Sequence, residues 1–177
     1  MLLKYRPQME GSSKLLNAYQ INNLSEHMIY LRSMKWVLLY RLSEHGVSLH
    51  TFIKRLSMYD NTLLVMEDKQ GWKFGGLASE EWAKGKDFYG TGDSFVFTFK
   101  KGDQIELWQS TGQNSMYQYC DKGGFGMGGG FLGGRFALYV GDDFWRGSST
   151  KTECFDNECL SSSTDFNLID MEVWGFE

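Results

Sequence analysis

Proline, cysteine and long apolar runs are scarce in this sequence. A single proline among 177 residues excludes proline-rich linkers, while 21 glycines favour many tight turns. No apolar stretch approaches the roughly 20 residues that span a bilayer, and the N-terminus lacks the hydrophobic region of a signal peptide. The sequence therefore predicts a soluble, cytoplasmic protein with no direct membrane insertion.

The sequence has three cysteines, which are Cys120, Cys154 and Cys159. An odd number in apolar or turn surroundings is typical of reduced cytosolic thiols, although spacing alone leaves a Cys154–Cys159 disulfide open. The same pair lacks the second pair of ligands that a structural zinc site needs. Asp142, Asp143 and Asp165 lack the twelve-residue loop of a calcium site. We expect no bound metal.

An excess of positive charge is also missing, since 18 basic and 22 acidic residues give a net charge of -4. Without a positive field to attract a polyanion, nucleic acid is not an expected partner. Phenylalanine, tyrosine and tryptophan make up 16% of the chain and supply large core side chains. The length suits one domain. We expect residues 1–177 to form a single, monomeric domain in which the segment 1–12 is irregular.

Periodicity predicts two main helices near the N-terminus and a series of strands. Serines that can cap a helix precede apolar residues at helical spacing over residues 13–27, and Ser48 precedes a second helix with one apolar stripe. A short apolar strand at 36–42 lies between them and is ended by a turn at 44–46. Seven further strands are predicted over residues 62–68, 72–79, 95–99, 104–109, 115–120, 135–140 and 166–176. The predicted fold is mainly β with flanking helices (α+β): two antiparallel sheets packed as a β-sandwich, with the helices on its edges.

The stretch FYGTGDSFVFTF contains the clearest alternation. It places Phe95, Phe97 and Phe99 two residues apart, so we expect them on one face of a strand and in the interior of the sandwich. Gly90 and Gly92 precede this strand and can supply positive φ values. A phosphate loop fits poorly, because a strand follows where phosphate binding needs the N-terminus of a helix.

A glycine cluster, GGFGMGGGFLGG, contains the pattern GxGxxG at Gly124, Gly126 and Gly129. Dinucleotide binding needs a strand that leads directly into this pattern and a helix after it, within a βαβ unit. Here no clear strand leads into it, a strand follows it, and no βαβ unit surrounds it. We therefore interpret the cluster as a flexible loop or bulged turn and expect no cofactor.

Several segments follow one another in an order that is typical of one family. They are Trp36 with its strand and HGVSL at 45–49, LLVMEDKQGWKFGG at 63–76, FYGTGDSFVF at 88–97, TGQNSMYQYC at 111–120, RFALYVGDDFWRGSS at 135–149 and CFDNECLSSSTDFNLIDMEVWGF at 154–176. Through nearly the whole chain the sequence resembles the TLDc domain of the oxidation-resistance proteins. That resemblance implies an antiparallel two-sheet sandwich with flanking helices. Two features depart from the family: the glycine cluster is longer, and Asp142-Asp143 replaces an Asp-Gly-Asp turn.

The resemblance also implies a function. It implies a non-catalytic interaction domain that binds the catalytic, cytosolic sector of the vacuolar proton-pumping ATPase (V-ATPase), modulates its assembly or activity, and protects indirectly against oxidative stress. Through that partner the protein would lie at vacuolar or endolysosomal membranes. The candidate contact residues are Glu44, His45, Gly46, Asp142, Asp143, Trp145 and Arg146. Tryptophan and arginine are enriched at binding hot spots, and a buried Trp145 is the alternative.

A hydrolase is the second functional hypothesis. His45 beside Glu44 has the composition of an oriented base, and Ser43, Ser48 or Cys154 is available as a nucleophile. The combination is weakly specific, because serines are common and a histidine beside a glycine is often a turn contact. No CxxC motif is present, so direct thiol redox chemistry is not expected.

Overall fold

Strands dominate the computed structural model, which describes residues 5–130 and 135–177. The strands are β1 (Met9–Glu10), β2 (Trp36–Arg41), β3 (Thr62–Asp68), β4 (Lys73–Ala78), β5 (Phe95–Lys100), β6 (Glu106–Gln109), β7 (Gln118–Asp121), β8 (Gly124–Met127), β9 (Leu138–Gly141), β10 (Arg146–Ser148) and β11 (Asp165–Phe176). The helices are α1 (Ala18–His27), a 3-10 turn (Ile29–Leu31), α2 (Leu42–His45) and α3 (Leu49–Leu56).

Two sheets share one long strand, β11. The first sheet has the order β6-β5-β4-β3-β11-β2-β1, and the second has the order β7-β8-β9-β10-β11. Residues 165–167 of β11 pair with β10, whereas residues 172–176 pair with β2. Neighbouring strands are antiparallel except β1 and β2, which are parallel. β11 therefore passes from one sheet to the other and joins them.

One hydrophobic core fills the space between the two sheets. Its central side chains are Leu64, Met66, Phe74 and Val96 from the first sheet and Phe125, Met127, Leu138 and Val140 from the second. None of these side chains is more than 1% exposed, so each gives its full apolar area to the hydrophobic effect. The predicted fold class, an antiparallel β-sandwich with flanking helices, is confirmed.

A second core lies on the outer face of the first sheet. Phe95, Phe97 and Phe99 share this face, as the alternation predicts, and pack there with residues such as Leu24 of α1. The prediction that they fill the sandwich interior is wrong, because β5 is buried on both faces and presents Val96 to the sandwich instead. α1 consequently covers a face of the sheet and not an edge.

The two predicted helices begin at different kinds of cap. α3 follows Ser48, whose hydroxyl accepts a hydrogen bond from the Thr51 N–H at 3.2 Å, as predicted. α1 begins later than the predicted residue 13. Its cap is Asn17, which exchanges hydrogen bonds with Gln20 in a capping box.

The glycine cluster holds the largest error of the sequence prediction. Its first part is not a loop but strand β8, which pairs with both β7 and β9. Phe125 and Met127 face the core, while a Cβ on Gly124 or Gly126 would approach carbonyl oxygens of β9 at 2.2 and 2.7 Å. The glycines are required for this close approach, and their low strand propensity hides the strand. Residues 131–134 of the cluster lie outside the described residues.

Only one of the two glycines before β5 has the expected positive φ. Gly90 has φ +94°, and a Cβ there would lie 2.8 Å from Oε1 of Gln118, which accepts hydrogen bonds from two backbone N–H groups. We expect Gly90→Ala to lower the free energy of unfolding by about 1–3 kcal/mol, measured by urea denaturation. Gly92→Ala is the matched control, since its φ is not positive and its Cβ would meet nothing closer than 3.4 Å. Equal losses in the two variants would contradict this assignment.

Candidate interaction surface

The two segments that were predicted to contact a partner meet around the ring of Tyr40. The centroid of this ring lies 5.8 Å from that of His45 and 6.0 Å from that of Phe144. His45 belongs to the segment 44–46, and Phe144 lies in the turn between β9 and β10. The sheet topology thus brings together two segments that are far apart in the sequence.

The segment 44–46 is the end of a one-turn helix that is tied to β11. The Ser43 N–H and hydroxyl both donate to the carboxylate of Asp170, at 3.0 and 2.6 Å. Arg41 donates to Glu44 at 2.9 Å, and the Tyr40 hydroxyl donates to the Gly46 carbonyl. These contacts hold α2 in one position against the sandwich.

The turn between β9 and β10 buries Phe144 and exposes Trp145. Phe144 has φ +62° and is 1% exposed, with its ring 5.6 Å from that of Phe125. The carboxylate of Asp143 accepts hydrogen bonds from the N–H groups of Trp145 and Arg146 and from the Arg146 side chain. Trp145 is 40% exposed, so the alternative of a buried Trp145 is wrong. Phe144 occupies the buried position because its positive φ turns the chain there.

Ile169 lies between the two segments and was missed by sequence reasoning. The Leu168 N–H donates to the Trp145 carbonyl at 2.8 Å, and Asp170 accepts from Ser43, so Ile169 stands between these two anchors. It is an extra residue at a register shift of β11 and is 50% exposed. The sequence contained one signal for Ile169: it is an apolar residue at a position of β11 where the alternation predicts a polar, exposed side chain. We define the interaction surface as Glu44, His45, Gly46, Asp142, Asp143, Trp145, Arg146 and Ile169.

Both signs of charge flank the apolar side chains of this surface. Hydrogen bonds from Lys14 and Arg41 lower the pKa of Glu44 to about 2. The hydrogen bond from Arg146 lowers the pKa of Asp143 and raises the pKa of Arg146 itself. All three groups are therefore charged at neutral pH, around an exposed tryptophan and isoleucine.

A family model described as the TLDc domain matches residues 9–177. The chain belongs to the TLDc domain family. This TLDc domain is 37% identical to Oxidation resistance protein 1 of Homo sapiens over 175 residues. The aligned stretch covers 98% of this chain and 20% of that relative. It is 34% identical to Nuclear receptor coactivator 7 of Mus musculus over 173 residues. That alignment covers 97% of this chain and 18% of the relative. The chain thus spans about a fifth of the length of the curated relatives it matches.

In the TLDc domain His45 does not have the geometry of a general base. Its Nδ1 accepts a hydrogen bond from the Arg41 N–H at 2.9 Å. Burial, and then the charge of Arg55, lower its pKa, so that the imidazole is neutral at pH 7 and carries its proton on Nε2. Neither ring nitrogen has a free lone pair to accept a proton from a nucleophile.

The three nucleophiles of the hydrolase hypothesis are engaged elsewhere in the TLDc domain. Ser43 donates to Asp170, and Ser48 accepts the hydrogen bond that caps α3. Cys154 is fully buried, and burial raises the pKa of its thiol to about 11. None of these groups bonds to His45 among the described residues, so the geometry does not favour a hydrolase.

The three cysteines of the TLDc domain are all free. Cys154 and Cys159 therefore do not form the disulfide that their spacing had left open. Cys120 is also buried, and burial raises the pKa of its thiol to about 11. Over residues 5–130 and 135–177, no group of three or more His, Cys, Asp or Glu side chains could hold a metal ion. No helix in the same ranges is long and apolar enough to cross a membrane.

Proposed function

We propose that this TLDc domain is a non-catalytic interaction domain, which binds the cytosolic catalytic sector of the V-ATPase and modulates its assembly or activity. In this proposal the domain acts in the cytoplasm, at vacuolar or endolysosomal membranes through its partner, and contributes indirectly to oxidative stress resistance. Family membership supports the choice of partner. The name of the relative Oxidation resistance protein 1 supports the role in stress resistance.

The observation that carries the interaction proposal is the fixed, exposed position of Trp145. Hydrogen bonds hold its backbone on both sides, from its N–H to Asp143 and from Leu168 to its carbonyl. A backbone that is held in place before binding loses little conformational entropy when a partner covers the turn. Ile169 extends the apolar area, and Glu44 and Arg146 supply a charged rim, as in protein interfaces with a central apolar patch.

A direct binding measurement tests the proposal. We expect the unaltered domain to bind the purified cytosolic sector of the V-ATPase in biolayer interferometry. Trp145→Ala removes the proposed central anchor and should weaken binding by about 2 kcal/mol, which is a rise in Kd of roughly 30-fold.

The matched control is Tyr30→Ala. Tyr30 is another exposed aromatic side chain, 89% exposed, and lies on the 3-10 turn beside Asn61 and Phe95. Its removal should leave Kd unchanged. If the unaltered domain fails to bind the sector, the choice of partner is wrong. If both variants bind equally well with unchanged melting temperatures, the partner stands and the interaction surface is wrong.

A further inference from the structure

An aromatic groove lies on the outer face of the second sheet. It has a volume of about 660 Å³ and shares no lining residue with the interaction surface. Four half-buried rings cluster along it. The centroids of Phe88, Tyr119 and Phe136 lie 5.2 to 5.8 Å from one another, and that of Tyr139 lies 4.9 Å from Phe136. These rings are partly exposed on the solvent side of the sheet.

The glycine pattern of β8 makes room for these rings. Gly126 faces outward between β7 and β9, and a Cβ there would lie 2.9 Å from the Phe136 ring and 3.0 Å from the Tyr139 ring. A Cβ on Gly129 would lie 2.8 Å from the Phe88 ring. The GxGxxG pattern, which lacks the context for phosphate binding, thus allows aromatic rings to lie directly against the backbone.

Carboxylates act on two of the rings of this groove. Asp121 lines it and accepts hydrogen bonds from the Tyr119 hydroxyl at 2.9 Å and from the Gly123 N–H at 2.8 Å. The hydrogen bond to Asp121, followed by burial and the charges of Asp121 and Asp87, raises the pKa of Tyr119. Burial, followed by the charges of Asp121 and Asp142, raises the pKa of Tyr139. Among the lining residues Asp121 is the carboxylate and Arg135 is the cation, while Asp87 and Asp142 act on the rings from outside the lining.

We propose that this groove binds an arginine side chain of a protein partner. The faces of aromatic rings attract cations, and a planar guanidinium can stack on a ring while it donates to a neighbouring carboxylate. Asp121 is placed to accept such a bond, since each of its oxygens has a second lone pair. An anion would be repelled by Asp121, and an apolar ligand would offer no donor to its remaining lone pairs. This site does not rest on the proposed function and shares no lining residue with the interaction surface.

A peptide titration tests the proposal on the full chain. The probe is the capped pentapeptide Gly-Gly-Arg-Gly-Gly, followed by amide chemical shifts in NMR up to about 10 mM. We expect saturable shifts at β7 and β9. The same peptide with citrulline, a neutral analogue of arginine, should bind at least tenfold more weakly because it lacks the charge.

Two variants locate the site. Asp121→Asn keeps an oxygen acceptor for the Gly123 N–H but removes the charge, and Tyr139→Leu removes one ring. Each should raise Kd for the arginine peptide at least fivefold at an unchanged melting temperature, while Tyr30→Leu leaves it unchanged. Equal binding of the citrulline peptide, or no saturable shift, would overturn the proposal. A lysine peptide that binds as tightly as the arginine peptide would overturn the choice of arginine.

Discussion

Glu172→Gln is expected to lower the free energy of unfolding by about 3–5 kcal/mol, because it leaves a buried guanidinium without its closest carboxylate. Glu172 is fully buried, and Arg41 donates to its Oε2 from two nitrogens, at 2.7 and 3.1 Å. The same carboxylate accepts hydrogen bonds from the Ser13 hydroxyl at 2.6 Å and from the Lys14 N–H at 2.8 Å. Urea denaturation at neutral pH measures the loss.

The Glu172 variant should also loosen the segment before α1, since Ser13 and Lys14 both bond to this carboxylate. Faster amide hydrogen exchange at these positions would show the effect. Glu10→Gln is the matched control. Glu10 pairs with Lys35 at 2.8 Å but its side chain is 64% exposed, and an exposed pair contributes little because solvent screens it. Similar losses in the two variants would show that the buried pair is not a principal contact of the fold.

Local patterns in the sequence predict the hairpins and α3 well. The hairpin of β3 and β4, and that of β5 and β6, each combine two segments of strand length with a short glycine-containing turn. Ser48 is likewise a local signal, because a helix cap depends on residues three positions apart. The second core is not predictable in this way, since β5 is apolar on both faces and alternation cannot assign the partner of either face. The prediction of one monomeric domain over residues 1–177 stays a prediction.

The candidate surface is predictable only in its parts. The segments 44–46 and 142–146 are recognisable, but their contact depends on β11 passing between the two sheets. Which of two adjacent aromatics is exposed follows from the positive φ of Phe144, a conformation that bulky residues rarely adopt and composition does not reveal. The pair of Arg41 and Glu172 joins residues 131 positions apart, so no local pattern indicates it.

Phe52→Ala is expected to cost about 3–5 kcal/mol of unfolding free energy, through lost burial and an unfilled cavity. The Phe52 side chain is 0% exposed. Its ring stacks on Phe125 at 4.4 Å and lies 5.3 Å from Tyr40 and 5.6 Å from Phe144. Because these rings support both segments of the interaction surface, we also expect weaker binding of the proposed partner.

His50→Ala separates this packing effect from a change in helix propensity. His50 lies on α3 with Phe52 but is exposed, so its replacement should change stability by no more than about 0.5 kcal/mol. Urea denaturation compares the stability of the two variants. Kd for the proposed partner is measured under conditions in which the Phe52 variant remains folded. If that variant loses stability but binds with unchanged Kd, the rings below the surface do not set the position of Trp145. The contacts of Asp143 and Leu168 would then be sufficient to hold it.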